Sequence, residues 1–418
     1  MPNNIISNEF SRPNSNPRYT EMKMPSTVSI EEQRIGAGLA APKSPKLRAM
    51  RLSSRKSVFM KLIWPNLFFL WILAGHADDA TNRLNAIRIP TAGPVMKAQL
   101  GTDGVIHLLF QTTHGPQYTK SEDSGLTFSA PITILNAAAQ KPGLEFQAED
   151  LAVGKDGRVH VAMSNNAWKL KLPEEEWGLY YTSLAPGAKA FKPVRNLNLK
   201  PSEGFSLAAD ERGAVTACFL SDKLFAKVSR DNGETFTANA ELNPAWDPCN
   251  CCTTSATYGP DGKLAVLYRE ETNNERDMYL VLWDQSSSAK PSRIRVSGTP
   301  WKLDGCPMTY FTIRPAVTGY VAAWPTKGQV YFARLDKDGR VLPPGEIRTP
   351  GTTGMRTGLE VLSAKDGATL VGWKNKDVMG WQLYDTKGQP QGQPGSASSP
   401  GTGAAGVALP NGKFILFL

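Results

Sequence analysis

Cysteine is the residue type whose spacing stands out first in this chain of 418 residues. Three of its five cysteines fall in the segment Cys249-Asn250-Cys251-Cys252, and a fourth, Cys306, lies further along. Three interpretations stay open: two disulfides among these four cysteines, a site for copper(I) or another soft metal, and free redox-active thiols. Neighbouring cysteines pair only through a strained ring, so at least one bridge is expected to reach Cys306. The spacing matches no zinc template with paired C-x-x-C segments.

Charged side chains come directly after the next apolar run, at Arg269, Glu270, Arg276 and Asp277. A forked guanidinium group suits carboxylate ligands, so these residues and Arg356 are candidate catalytic or ligand-binding groups. The alternative is a local network of salt bridges that stiffens a loop and adds little stability.

Aromatic side chains and one histidine are further candidates for ligand binding. Trp168 and Trp301 are expected either to stack on sugar rings or to pack against the protein, and His114 falls in a predicted loop. The chain has only four histidines, and no glycine-rich phosphate loop or Ser-His-Asp order stands out. No cofactor is therefore expected beyond a metal at the cysteines.

Regular turns separate the short apolar strands that must position these residues. Seven turns of the Asp-Gly type lie between two apolar runs, and their glycines recur every 45 to 57 residues. These glycines are Gly104, Gly157, Gly213, Gly262, Gly319, Gly367 and Gly412. Four strands fit into each interval, which predicts an all-β fold, a β-propeller of four-stranded blades. Seven blades are favoured over six, with residues 85–90 supplying an outer strand that closes the ring.

Two of the predicted units share the pattern S-x-D-x-G-x-T-F. The residues are Ser121, Asp123, Gly125, Thr127 and Phe128 in the first copy, and Ser229, Asp231, Gly233, Thr235 and Phe236 in the second. The aspartate can accept hydrogen bonds from the turn, and the glycine suits a positive φ. The pattern resembles the Asp-box of sialidase-like propellers with bacterial neuraminidase repeats, and the resemblance covers about residues 83–418.

This resemblance implies three arginines that bind a carboxylate, a Tyr–Glu nucleophile pair and an aspartate as general acid. Arg88, Arg269 and Arg356 match the three arginines by position. The match is incomplete, because cysteines replace the glutamate expected before the second arginine, and Asp103 and Asp123 belong to turns. Tyr310 and Tyr384 are the candidate nucleophiles.

In a four-stranded blade, the link into each inner strand and the link between the second and third strands lie on the same face. Propeller ligands usually bind on this face near the axis, a fold-level analogy. The cysteine segment, the loop after Arg269, Trp168 and His114 are all predicted to lie there, with Glu149 and Asp150.

The N-terminal segment carries most of the charge. The formal net charge is +9, but residues 1–77 hold 11 Lys and Arg against 4 Asp and Glu, which leaves 36 against 34 in the remainder. This balance argues against a nucleic-acid partner. Residues 1–59 are predicted to be a disordered leader or an over-extended gene start, residues 60–77 a signal peptide, and residues 78–418 the propeller.

The sequence thus predicts a periplasmic or secreted protein with no stable membrane span in the mature chain. Its expected role is a binding module for a glycan or an envelope protein, acting through the axial face. The alternative is a sialidase-like glycosidase with a non-standard active site.

Overall fold

The computed structural model describes residues 83–89, 93–135 and 141–418. The segments predicted as leader and signal peptide, 1–59 and 60–77, lie outside the described residues. The described residues form seven sheets, six of them four-stranded and antiparallel and one three-stranded.

The first three blades follow one another in chain order, each numbered from the inner to the outer strand. Blade 1 contains β2 (Val95–Leu100), β3 (Ile106–Thr112), β4 (Gly115–Ser121) and β5 (Ile132–Thr133). Blade 2 contains β6 (Phe146–Val153), β7 (Val159–Asn165), β8 (Tyr180–Leu184) and β9 (Arg195–Asn196). Blade 3 contains β10 (Glu203–Ala209), β11 (Val215–Ser221), β12 (Lys223–Ser229) and β13 (Ala240–Glu241).

The next three blades repeat this order. Blade 4 contains β14 (Thr254–Tyr258), β15 (Leu264–Arg269), β16 (Met278–Trp283) and β17 (Ser292–Arg295). Blade 5 contains β18 (Thr312–Ala316), β19 (Gly319–Thr326), β20 (Gln329–Asp336) and β21 (Ile347–Thr352). Blade 6 contains β22 (Leu359–Ser363), β23 (Thr369–Asn375), β24 (Val378–Tyr384) and β25 (Pro390–Ser398).

Blade 7 is closed by the N-terminal strand. It contains β26 (Ala405–Ala408) and β27 (Phe414–Phe417), and β1 (Leu84–Ile87) pairs with β27 in parallel. Seven blades and ring closure by an N-terminal strand are therefore confirmed. The last blade departs from the four-stranded pattern, because β1 takes the third position directly beside β27.

The predicted hairpin turns explain why the blades repeat. All seven turn glycines have a positive φ, between 72° and 149°, which is the conformation that tight turns demand and that side chains disfavour. The only helical segments in the described ranges are the short turns Lys155–Gly157 and Glu174–Glu176. No helix among the described residues is long and apolar enough to cross a membrane.

The core lies between neighbouring blades, where each blade packs its apolar faces against the next. Leu220 and Cys218 of blade 3 pack in one cluster with Tyr268 and Val266 of blade 4.

The two predicted Asp-box loops follow the third strands of blades 1 and 3. In the second copy, Asp231 accepts bonds from the backbone N–H and hydroxyl of Thr235 at 2.9 and 2.5 Å.

The first copy forms the same bonds, from Thr127 to Asp123 at 2.8 and 2.5 Å. In both loops the serine hydroxyl accepts the glycine N–H at 2.8 Å. The hydrogen bonds that the two aspartates accept lower the pKa of Asp123 and Asp231 to about 2, with the threonine hydroxyl as the largest cause. The two segments therefore adopt one loop structure, as their shared pattern predicts.

Candidate functional site

A pocket of about 810 Å³ opens on the axial face, where the inner strands begin. Its wall is formed by the inner strands β2, β6, β10, β14, β18 and β22, by the residues just before β26, and by the β3–β4 turn. Pockets of this size, concave and at the convergence of several elements, are typical ligand sites. The predicted axial pocket is thus present, and it is lined mainly by residues of the inner strands.

Two salt bridges lie at the bottom of this pocket. Lys97 contacts Asp150 at 3.0 Å, and Arg314 contacts Glu360 at 2.6 Å. Asp150 and Glu360 line the axial pocket, Arg314 lines a second cavity of about 270 Å³, and Lys97 lines both. The paired charges therefore separate two cavities along the axis.

Asp150 also holds blades 2 and 3 together, because its carboxylate accepts the backbone N–H of Leu207 at 2.8 Å. Its other oxygen accepts the N–H of Leu151 at 2.9 Å. Since both carboxylate oxygens accept hydrogen bonds from the backbone, Asp150 stabilises the packing of the blades and is not a ligand-binding group.

Glu149 is a half-buried carboxyl group of the pocket without a cationic partner in contact, whereas Glu145, which also lacks one, is exposed. Glu149 accepts a hydrogen bond from the Ser164 hydroxyl at 2.5 Å. Desolvation raises the pKa of Glu149 to about 7, while Arg356 acts in the opposite direction. Arg356 is exposed, and its field also acts on Glu203, whose pKa is raised by desolvation. Glu149 is therefore poised to exchange a proton near neutral pH.

Hydroxyl groups complete the pocket wall. Thr253 and Thr312 both line the pocket, and their hydroxyls are buried without a hydrogen-bond partner among the described residues. Tyr310 also lines the pocket, and burial raises its pKa to about 12. Tyr384 lies elsewhere, buried against the Phe332 ring at a centroid distance of 4.6 Å. Buried hydroxyls normally find partners, so the two threonines offer unused hydrogen-bonding groups to a ligand.

His114 and Trp168 lie at the rim. His114 is exposed in the β3–β4 turn and lines the pocket. Trp168 is 58% exposed, in the loop between β7 and β8. Asn166 of this loop accepts the N–H of Glu145, a pocket residue, at 2.9 Å. This bond places the tryptophan loop next to the pocket.

Arg269 does not line the pocket. It is 1% exposed and donates to the backbone oxygens of Arg276 and, at 2.6 Å, of Pro325. Its guanidinium stacks over the Trp301 ring at 4.8 Å, and Trp301 is itself 8% exposed. These two candidate ligand-binding residues are therefore packed together between blades 4 and 5.

The three other charged candidates near Arg269 have protein partners. Glu270 binds Arg293 through two bonds, at 2.7 and 2.5 Å. Asp277 contacts Arg295 at 2.7 Å, and Arg276 contacts Glu271 at 3.3 Å. This arrangement is a salt-bridge network.

The arginine set implied by the sialidase resemblance is dispersed. Arg88 lies on the outside of blade 7 and donates to the Ser398 oxygen at 2.8 Å. Of Arg88, Arg269 and Arg356, only Arg356 acts on a carboxyl group of the pocket, that of Glu149.

The cysteines meet behind the pocket wall, between blades 4 and 5. Cys251 and Cys306 form a disulfide, so the predicted bridge to Cys306 is present. Cys249 and Cys252 are free and buried, with their sulfurs 3.4 Å apart. The structure thus has one disulfide, whereas the first interpretation of the sequence expected two among these four cysteines.

Sequence reasoning missed Lys97, Glu360 and Thr312 as residues of the axial pocket, and Arg314 as the partner of Glu360 beside the second cavity. Each lies on an inner strand, where an alternating run predicts a buried side chain but not an axial one. The signal available was a charged residue inside a buried strand. Such residues are rarely buried unless they are paired.

No family model matches the chain, and no curated protein matches its sequence. Solved structures with a similar architecture include an alpha-L-arabinofuranosidase of Fusarium graminearum in complex with arabinobiose. That enzyme is 12% identical, with a TM-score of 0.42 over 76% of this chain and 97% of that one. An ulvan lyase bound to its saccharide is 13% identical, with a TM-score of 0.47 over 78% of this chain and 87% of that one.

The intramolecular trans-sialidase of Ruminococcus gnavus, in complex with oseltamivir carboxylate, is 12% identical. Its TM-score is 0.41 over 80% of this chain and 90% of that one. The chain is similar in architecture to sialidase-like and other β-propellers, and similarity at this level carries no argument about its chemistry.

Proposed function

We propose that the protein binds an uncharged glycan in its axial pocket. The observation that carries this proposal is the meeting, in one pocket, of the unpartnered Thr253 and Thr312 hydroxyls with the Glu149 carboxyl. A sugar presents many hydroxyl groups that both donate and accept hydrogen bonds, so it complements such a wall. The volume of about 810 Å³ accommodates a short oligosaccharide.

The charges favour a neutral ligand over a sialylated one. A carboxylate ligand is bound best by several forked cations, but Arg88 and Arg269 are engaged by the backbone away from the pocket, which leaves Arg356 alone near it. Lys97 at the bottom is already paired with Asp150. Glu149 would repel an anion in the pocket once ionised.

Trp168 provides the aromatic surface that sugar recognition uses. More than half of it is exposed, and its loop is bonded to the pocket rim through Asn166. A sugar leaving the pocket on this side would stack on the indole ring. Trp246 is the matched control, because it is 40% exposed but covers Arg293, at 4.3 Å from the ring centroid, away from the pocket.

A panel of immobilised neutral, sulfated and sialylated oligosaccharides tests the proposal. Neutral members should bind, and Thr312→Val should weaken that binding about 10-fold through the loss of one hydrogen bond. Trp168→Ala should weaken it as well, and Trp246→Ala should leave it unchanged. Preferential capture of sialylated members, or equal effects of the two tryptophan variants, would contradict the proposal.

Glycoside hydrolysis is the second candidate, and the raised pKa of Glu149 favours it. A carboxyl group with a pKa of about 7 stays protonated at mildly acidic pH and can protonate a leaving-group oxygen. Glu149→Gln should then abolish the turnover of aryl glycosides at pH 6 while glycan binding persists. A pure binding module would show no turnover in either protein.

Export is a further part of the proposal. Residues 60–77 have the composition of a signal peptide, and an envelope glycan, or an envelope protein, would be the partner. N-terminal sequencing of the protein from its native compartment should begin at Asp78. Retention of residues 60–77 in that protein would count against export by cleavage.

A further inference from the structure

The four clustered cysteines place their sulfur atoms unusually close together. Cys249 Sγ lies 3.4 Å from Cys252 Sγ and 3.8 Å from Cys306 Sγ. Thiolates that share one metal ion at about 2.3 Å lie about 4 Å apart. The sulfurs of Cys249, Cys252 and Cys306 all lie within 4.8 Å of one another, so they already have the spacing of a three-thiolate metal site.

Two arginines face these sulfurs. Arg276 donates to Cys249 Sγ at 3.4 Å, and the field of Arg269 acts on both Cys249 and Cys252. Arg269 is buried, and no carboxylate lies within salt-bridge distance of it in the described part of the chain. A buried cation without an anionic partner is costly, and thiolates beside it would supply the missing negative charge.

We propose that Cys249, Cys252 and Cys306 bind one soft monovalent metal ion, Cu(I), as three thiolates when the Cys251–Cys306 disulfide is reduced. Sulfur-only donors select Cu(I) over harder ions. Three thiolates and one monovalent ion carry two negative charges; Arg269 offsets one of them, and Arg276, which also contacts Glu271, lies beside Cys249. The glycan proposal does not enter this inference, because the sulfurs do not line the axial pocket.

The redox step balances with a dithiol reductant. Its two thiols transfer two electrons and two protons, the Cys251–Cys306 bond breaks into two thiols, and the reductant leaves as its cyclic disulfide. Cu(I) then displaces the protons of three thiols. Cys251 and Cys306 are half-buried, while Cys249 and Cys252 are buried beneath them, so a reductant reaches the disulfide first.

The test compares two cysteine variants that both remove the disulfide. Full-length protein is reduced by a dithiol under anaerobic conditions, freed of reductant and titrated with Cu(I) against a chromogenic chelator. The reduced wild type and Cys251→Ser should each bind one Cu(I) per chain. Cys306→Ser should bind it more than about 100-fold more weakly, because it lacks a ligand. Unreduced wild type should compete poorly with the chelator for Cu(I).

Cys218→Ser is the matched control, because Cys218 is buried in blade 3 and belongs to another part of the core. It should bind copper as the wild type does. Near-ultraviolet circular dichroism shows whether each variant is folded, and X-ray absorption of the loaded protein should show sulfur-only coordination. Equal behaviour of Cys251→Ser and Cys306→Ser, or no copper bound by the reduced wild type, would overturn the proposal.

Discussion

Glu149 carries a carboxyl group where its negative charge destabilises the fold. Its only direct hydrogen-bond partner among the described residues is the Ser164 hydroxyl, and its desolvation is the dominant influence on its pKa. By contrast, Asp150 next to it is held by two backbone N–H groups and Lys97. Both side chains line the pocket, but the pairing of β6 with β7 shifts register between Ala148 and Asp150, so Glu149 is the extra residue of a β-bulge and lacks the partners that Asp150 has.

Replacement of Glu149 by glutamine should reveal this cost as a pH-dependent gain in stability. The folded pKa of about 7 exceeds the ordinary value of 4.5, so the folded chain holds the extra proton between these values. Wild-type stability is therefore lost as pH rises through this window, by at most about 3 kcal/mol at pH 8. Glutamine keeps an oxygen for Ser164 and does not ionise. Chemical unfolding should find Glu149→Gln more stable at pH 8.

The advantage of Glu149→Gln should fall below about 1 kcal/mol at pH 4.5, where the Glu149 carboxyl of the folded wild type is almost fully protonated. His107 and His160 also change the stability with pH, because burial lowers their pKa to about 4 and about 3. Both proteins share these histidines, so their contribution cancels in the difference. A variant that is less stable than wild type at pH 8 would contradict the prediction.

The sequence predicted the presence of charged candidates better than their positions relative to the axis. Arg269 ends β15, the second strand of its blade, so its side chain meets blade 5 rather than the axis. Glu149 lies on the inner strand β6 and does reach the pocket. Strand periodicity gives the face of a residue, but its distance from the axis depends on how blades pack, which is a tertiary property.

At the scale of the element, the seven hairpins were predictable because tight turns have local chemistry. The disulfide partner of Cys306 was not, because four cysteines allow three pairings and only the packing of two blades brings Cys251 to it. The structure of the Asp-box loop could be predicted only in part. Its hydrogen bonds follow from its sequence, but its contact with the neighbouring blade does not.

Gly233 of the second Asp-box shows this contact. A Cβ atom there would lie 1.9 Å from Tyr181 Oη in blade 2, and φ is +83°. Gly233→Ala should therefore lower the free energy of unfolding by about 3 kcal/mol or more, through strain and overpacking together. Tyr181 has little freedom to move, because its hydroxyl is bonded to His160 at 2.7 Å.

Gly187→Ala is the matched control for Gly233→Ala. Its φ is +72°, but a Cβ atom there would meet nothing within 4 Å. Gly187→Ala should lower the free energy of unfolding by only about 1 kcal/mol, the penalty for alanine at a positive φ. Denaturant unfolding of both variants separates the two effects, and equal losses would show that the Tyr181 contact is unimportant.

At the scale of the whole molecule, ring closure was predicted because an open propeller leaves two strand edges unpaired. The strand that closes it is short, with four residue pairs between β1 and β27. Additional bonds extend the contact, from Phe414 N–H to the Arg83 oxygen at 2.7 Å and from Leu418 N–H to the Ile87 oxygen at 2.9 Å. The sequence could not predict that β1 pairs in parallel with β27 or that it is the third strand of blade 7, since both depend on the path of the chain across the blade.

Removal of this strand should destabilise the entire ring. A chain that begins at residue 93 lacks β1 and the side chains of Leu84, Ile87 and Ile89, which pack into the clusters around blade 7. Each apolar side chain of this size contributes about 1.5–3 kcal/mol when fully buried, and β27 would gain an open edge. Thermal unfolding should shift well below that of a chain beginning at residue 78, which retains β1, and the shorter chain should aggregate more readily. Identical unfolding temperatures would mean that blade 7 needs only β26 and β27, and that the ring holds without its N-terminal strand.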